Sequence, residues 1–145
     1  MNRIVQITPD FAVTGALQPG DVARVAALGF KSIVSNLPDG ESQVHPTSRQ
    51  EAELAAAAGL GFRHIPVTKA EAFSDRVVDG MTEALRELEG PVLAHCASGL
   101  RSAIAWAAAE ARGQPVDAVL EKLAAAGFNL EPLRDDLEEQ HRGSI

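Results

Sequence analysis

Residues 91–102, Pro-Val-Leu-Ala-His-Cys-Ala-Ser-Gly-Leu-Arg-Ser, constrain this chain more than any other stretch. The apolar run Val92–Ala94 reads as a buried strand, the small residues after Cys96 as a tight loop, and Ala103–Ala111 as a strong helix former. A strand, a glycine-bearing loop and a helix start in that order present backbone N–H groups to an anion. The loop also carries the only cysteine of the chain, Cys96, and a guanidinium, Arg101. A helix N-terminus and nearby cations favour the thiolate form of a cysteine, which is the nucleophilic form. Arg101 supplies a planar fork of donors that matches two oxygens of a tetrahedral anion. These residues therefore read as a nucleophile, Cys96, beneath an oxyanion held by Arg101 and the amides of Ala97, Ser98, Gly99, Leu100 and Arg101. Gly99 suits a backbone position with positive φ. Ser102 either caps the helix or donates to the sulfur. His95 has a supporting role, holding the loop through backbone carbonyls.

His95-Cys96-x-x-Gly99-x-Arg101-Ser102 resembles the signature loop of the cysteine-dependent phosphatase superfamily, which places five residues between Cys and Arg. Here four intervene, Ala97 to Leu100, a spacing similar to that of rhodanese sulfurtransferases. Further segments resemble one family that combines the two traits, the beta-lactamase-hydrolase-like, phosphatase-like domains. They are Ile7-Thr8-Pro9-Asp10 with Gly15-Ala16-Leu17, Gly29 to Val34, Leu37-Pro38-Asp39-Gly40-Glu41, and Phe62 to Val67. The resemblance spans residues 4–112. It implies a three-layer α/β/α sandwich on a parallel four-stranded central sheet, with Val92–Ala94 the most buried strand.

The order of elements agrees. Strand patterns at Ile4–Ile7 and Phe11–Thr14 are divided by Thr8-Pro9-Asp10, and those at Lys31–Asn36, Phe62–Val67 and Val92–Ala94 each follow a helical pattern, which argues for an α/β fold with a parallel core. Glycine or proline ends the helices, and Thr47 with Gln50, or Ser48 with Glu51, fits a capping box. At 145 residues the expectation is a single domain over 1–145. The segment from Leu130 is acidic and reads as a solvated, partly helical face.

Charge and composition narrow the function classes. Thirteen Lys and Arg against twenty Asp and Glu leave a formal charge of −7, a poor basis for binding nucleic acid or an anionic membrane. The anion site must therefore be built locally. One cysteine excludes an intrachain disulfide and a multi-cysteine metal site, so no metal or cofactor is expected. It also suits a cytoplasmic protein. The first residues lack a signal-peptide core, and no apolar run is long enough to span a membrane.

Two reactions fit the loop. In the first, a phosphatase-like hydrolysis, Cys96 attacks the phosphorus of a small phosphorylated molecule and a carboxylic acid protonates the leaving oxygen. Asp39, on the loop after a strand, is the first candidate for that catalytic acid and Asp75 the second. Glu41 and His45 share the loop and read as ordinary surface residues. The second is sulfur transfer through a Cys96 persulfide, which needs no acid; against it, Ala97 stands where rhodanese-like relatives carry arginine. A weakly active anion-binding module is the remaining alternative.

Overall fold

The computed structural model describes residues 1–41 and 45–143. Its elements run β1 (Val5–Thr8), β2 (Phe11–Thr14), α1 (Pro19–Ala27), β3 (Ser32–Ser35), α2 (Ser48–Ala57), β4 (Gly61–His64), α3 (Asp75–Glu87), β5 (Val92–His95), α4 (Leu100–Glu110), α5 (Val116–Ala125), a 3₁₀ turn (Glu131–Leu133) and α6 (Arg134–Gly143). The strands form one five-stranded sheet in the order β1-β2-β5-β3-β4. β2, β5, β3 and β4 are mutually parallel, as expected. β1 adds a fifth, antiparallel strand at the edge, joined to β2 by the tight turn at Pro9-Asp10. The four-stranded expectation thus describes the parallel part of the sheet. A two-residue connection permits only antiparallel pairing, since a parallel return needs a long crossover.

Helices cover both faces. Ala12, Ile33 and Leu93 face α1 and α2, packing with Val22, Val25, Ala55 and Leu60. Their strand neighbours Phe11, Val13, Val34, Val92 and Ala94 face the other layer, with Val77, Met81, Trp106, Val119 and Leu123. Phe11 stacks on Trp106 with ring centroids 5.7 Å apart. Period-two alternation thus feeds two cores, so the strands read as continuous apolar runs. β5 lies at the centre with all four residues buried, and its carboxyl end delivers Cys96 to the edge where such sheets place ligands.

Local sequence sets the helix ends. Thr47 caps α2 by accepting the Gln50 N–H while Gln50 returns a bond to the Thr47 N–H, the first of the two capping-box alternatives. Ser74 caps α3 through the Val77 N–H. β4 stops at His64, shorter than the Phe62–Val67 pattern, although Ile65 and Val67 still donate N–H bonds to Ser35 and Asn36. The acidic C-terminal segment departs from expectation. α6 packs on α4 and α5, Leu137 is fully buried, and His141 Nδ1 lies 2.8 Å from the Ala111 carbonyl. Among the described residues no helix is long and apolar enough to cross a membrane.

Leu137 gives the test of that packing. Leu137→Ala is expected to lower unfolding free energy by about 2–4 kcal/mol, read as a shifted urea midpoint. An unchanged midpoint would return α6 to the status of a solvated appendage.

Candidate active site

Cys96 follows β5 directly and is fully buried. Its sulfur accepts the backbone N–H of Gly99 at 3.1 Å. Gly99 has φ +95° and is the N-cap residue of α4, so one left-handed residue both turns the loop and starts the helix. A side chain there would be strained by the backbone angle, since a Cβ would meet only ordinary contacts with Thr14 at 3.5 Å. Leu100, Arg101 and Ser102 form the first turn of α4, whose amides have no intrahelical acceptor. Such amides favour a negative charge on or above the loop.

The loop is held from three sides. The His95 carbonyl accepts the Asn36 N–H at 2.7 Å, and the Ala97 carbonyl accepts the Ala16 N–H at 3.4 Å. Gly15 lies so close that an added Cβ would stand 3.0 Å from the Ala97 oxygen. Beneath the loop His95 Nε2 meets Glu51 Oε2 at 2.6 Å, with both side chains buried. His95, expected to bond backbone carbonyls of the loop, meets a buried carboxylate instead. Glu51 was not foreseen in this role. Its only signal is that it precedes Ala55 by four residues, on the face of α2 that turns inward.

Arg101 is the other half of the site. Its Nη1 donates to Glu41 Oε2 at 2.9 Å and to the Val67 carbonyl at 2.7 Å, while its Nη2 completes a bidentate pair with Glu41. A guanidinium has five N–H donors, so the Nε–H and one Nη2 hydrogen form an edge that these partners leave open. Cys96 contributes to the electrostatic environment of this group. Glu41 first, with some offset from burial and a further contribution from Cys96, holds Arg101 protonated above the ordinary arginine range. Arg101 in turn holds the Glu41 carboxyl below its usual range. Glu41, read from sequence as a surface residue, is thus the partner that orients the arginine.

Ala97, Ser98, Leu100 and Arg101 line one cleft of about 650 Å³ together with Glu41, Thr68, Lys69, Ala72 and Ile104, a size suited to a small molecule. Two sequence expectations are corrected here. Ser102 neither caps α4 nor donates to the sulfur; it is buried in the first turn with its hydroxyl unpartnered. Asp39 lies at the start of α2, where its carboxylate accepts the Ser48 N–H and hydroxyl, each at 2.7 Å. Those two bonds, hydroxyl first, hold its carboxyl below the usual range, the opposite of what a proton donor needs. Neither Asp39 nor Asp75 lines the cleft. His45 sits beside Gln18, 3.1 Å from its Nε2. Among the described residues no cluster of His, Cys, Asp or Glu has the arrangement to hold a metal.

A largely parallel α/β sheet whose central strand delivers a cysteine loop to a helix start is the arrangement of a phosphatase-like domain, with a Cys-x4-Arg spacing in place of five residues. The comparisons place the chain among such domains. It belongs to the family described as beta-lactamase hydrolase-like protein, phosphatase-like domain, which it matches over residues 3–113. It is 33% identical over 109 residues to the beta-lactamase hydrolase-like protein of Agrobacterium fabrum, covering 75% of this chain and 25% of that protein. A similar match, 32% over 108 residues, covers 74% of this chain and 25% of its relative in Xylella fastidiosa. The chain therefore spans about a quarter of the length of these relatives. A Neisseria meningitidis crystal structure, provisionally assigned as a phosphatase, superposes with TM-score 0.78 at 32% identity over 94% of this chain and 97% of that one. Tk-PTP shares the fold, with TM-score 0.72 at 19% identity over 97% of this chain and 95% of its own.

Two outcomes test the supporting pairs. Glu51→Ala leaves a buried histidine unpaired and is expected to cost about 3–5 kcal/mol of stability, with Glu51→Gln costing less, both read by urea unfolding. Glu41→Gln loosens Arg101 and should lower kcat/KM for an aryl phosphate about tenfold. The Glu41 carboxyl is depressed, so its ion pair is complete above the ordinary glutamate range and is lost as pH falls through the lowered value. The wild-type to Glu41→Gln ratio of kcat/KM should accordingly stay flat between about pH 5 and 8 and shrink below that range.

Proposed function

We propose that this domain is a cysteine-nucleophile hydrolase of phosphate monoesters. The observation that carries the proposal is the Cys96–Arg101 loop itself: its sulfur accepts the Gly99 N–H at 3.1 Å, and Ala97, Ser98, Leu100 and Arg101 of the same loop line one cleft. The Cys96 thiolate attacks phosphorus in line with the ester oxygen. A sulfur–phosphorus bond forms as the phosphorus–oxygen bond breaks, and the electron pair leaves on the alcohol oxygen. Arg101 and the amides from Ala97 to Arg101 bind the three equatorial oxygens, whose charge they balance in the transition state. Water then attacks the thiophosphoryl group, returning thiolate and inorganic phosphate.

The leaving oxygen takes its proton from solvent in this scheme. Glu41 is the one carboxylate on the cleft lining, and Arg101 holds it ionised. Substrates with weakly basic leaving groups, such as aryl phosphates, are therefore favoured. Sulfur transfer through a Cys96 persulfide is the second reading, supported by the same lack of a free acid and by the four-residue loop. The free thiol suits a reducing, cytoplasmic setting for either reaction.

Both readings are tested on one preparation. Hydrolysis of 4-nitrophenyl phosphate should be abolished in Cys96→Ser and fall at least a hundredfold in Arg101→Lys, which loses the planar fork. Sulfur transfer from thiosulfate to cyanide in the absence of phosphate release would overturn the lead reading in favour of the second. Asp39→Asn should lower turnover on phenyl phosphate and 4-nitrophenyl phosphate by the same factor. A selective loss on phenyl phosphate, the poorer leaving group, would restore Asp39 as the acid.

A further inference from the structure

We propose that Lys69 forms a second anion subsite in the cleft, so that the preferred ligand is a small phosphorylated molecule with an apolar body and a second negative group. The inference rests on reading the cleft as a phosphoester site. Three observations carry it.

The first is position. Lys69 lines the same cleft as Arg101, and the two cations share an anchor. Arg101 Nη1 bonds the carbonyl of Val67, two residues before Lys69. The turn that carries Lys69 is itself fixed. The Glu71 N–H bonds the Thr68 carbonyl, the Thr68 hydroxyl bonds Glu71 Oε1 at 2.8 Å, and Arg76 reaches both Glu71 and the Pro66 carbonyl.

The second is charge. The turn's own carboxylate, Glu71, is engaged by Thr68 and Arg76 and held below its usual range. The carboxylate on the cleft lining, Glu41, is engaged by Arg101. Lys69 is thus the cation on the lining that the neighbouring carboxylates do not neutralise. In a chain of net charge −7, a doubly anionic ligand is repelled unless each of its charges finds a local partner.

The third is the apolar part of the cleft that the two cations share. Leu100, Ile104 and Ala72 line it, and Leu100 is 44% exposed, one of few large apolar side chains left open to water. An apolar body lying against Leu100 would connect a phosphate over Cys96 to a second anion at Lys69.

The test uses non-hydrolysable anions with the whole chain. Affinities are measured calorimetrically for phenylphosphonate, 3- and 4-carboxyphenylphosphonate, and 1,4-phenylenebisphosphonate. At least one doubly substituted ligand should bind about two- to fivefold tighter than phenylphosphonate, the range of an exposed ion pair. That ratio should collapse to about one in Lys69→Met, persist in Lys69→Arg, fall further in Lys69→Glu, and shrink as salt is raised. The carboxylate and bisphosphonate arms tell which second anion the subsite prefers. A ratio that is the same in wild type and Lys69→Met, or no preference for any doubly substituted ligand, overturns the proposal. Lys69-dependent binding without hydrolysis of aryl phosphates sustains the subsite and overturns the hydrolase reading instead.

Discussion

Gly99 turns a four-residue loop within the space between a strand end and a helix start. At φ +95° it points its N–H at the sulfur 3.1 Å away and leaves α4 to begin one residue later. Arg101, at the second helical position, then reaches Glu41 and the Val67 carbonyl because the first turn of α4 fixes its Cα. A residue with a Cβ would pay about 1–2 kcal/mol for the left-handed angle. That is modest against a whole fold. At the site it removes the sulfur's amide partner and changes the direction from which the guanidinium arrives.

A turn this tight must be held from outside, because its own backbone has few internal bonds. The sheet supplies the hold. β5 lies between β2 and β3, so residues just beyond the ends of those neighbours, Ala16 and Asn36, bond the carbonyls of Ala97 and His95. Gly15 lets the β2 chain pass against Ala97 without a side chain between them. The buried Glu51–His95 pair ties the loop's root to α2 on the far layer. Desolvating such a pair is costly, and replacement by apolar residues of equal volume is often no less stable. Its value here is positional: it links a helix of one layer to the loop that carries Cys96.

What the sequence made legible follows from how local each signal is. The apolar run at Val92–Ala94, the capping box at Thr47 and the strand–loop–helix order around Cys96 and Arg101 are local, and each has its expected place. The antiparallel edge strand follows from the Pro9-Asp10 turn, but an expectation drawn from the parallel core left it out. Leu137 was hidden by acidic neighbours whose charges face water on the other side of α6. Glu51 and Glu41 were the harder cases. Their partners lie 44 and 60 residues away, and nothing in a single sequence marks such pairs. The loop after β3 was singled out for Asp39, yet Glu41 two residues on is the carboxylate that reaches the site.

The exchange of roles between Asp39 and Glu41 has a chemical consequence. A carboxyl group can orient a guanidinium or donate a proton to a leaving group, but not both at one moment. The ion pair that fixes Arg101 is also what keeps Glu41 ionised. In the proposed hydrolysis, protonating Glu41 would free a proton donor and at the same time release the arginine assigned to the equatorial oxygens. Of the two losses, the arginine's is the larger, because electrostatic stabilisation of transferring phosphoryl groups commonly exceeds the roughly 10²–10⁴-fold given by general acid catalysis. A site built this way gives up proton donation and retains charge balance. Under the proposed hydrolysis, substrates are then limited by leaving-group basicity rather than by phosphate recognition.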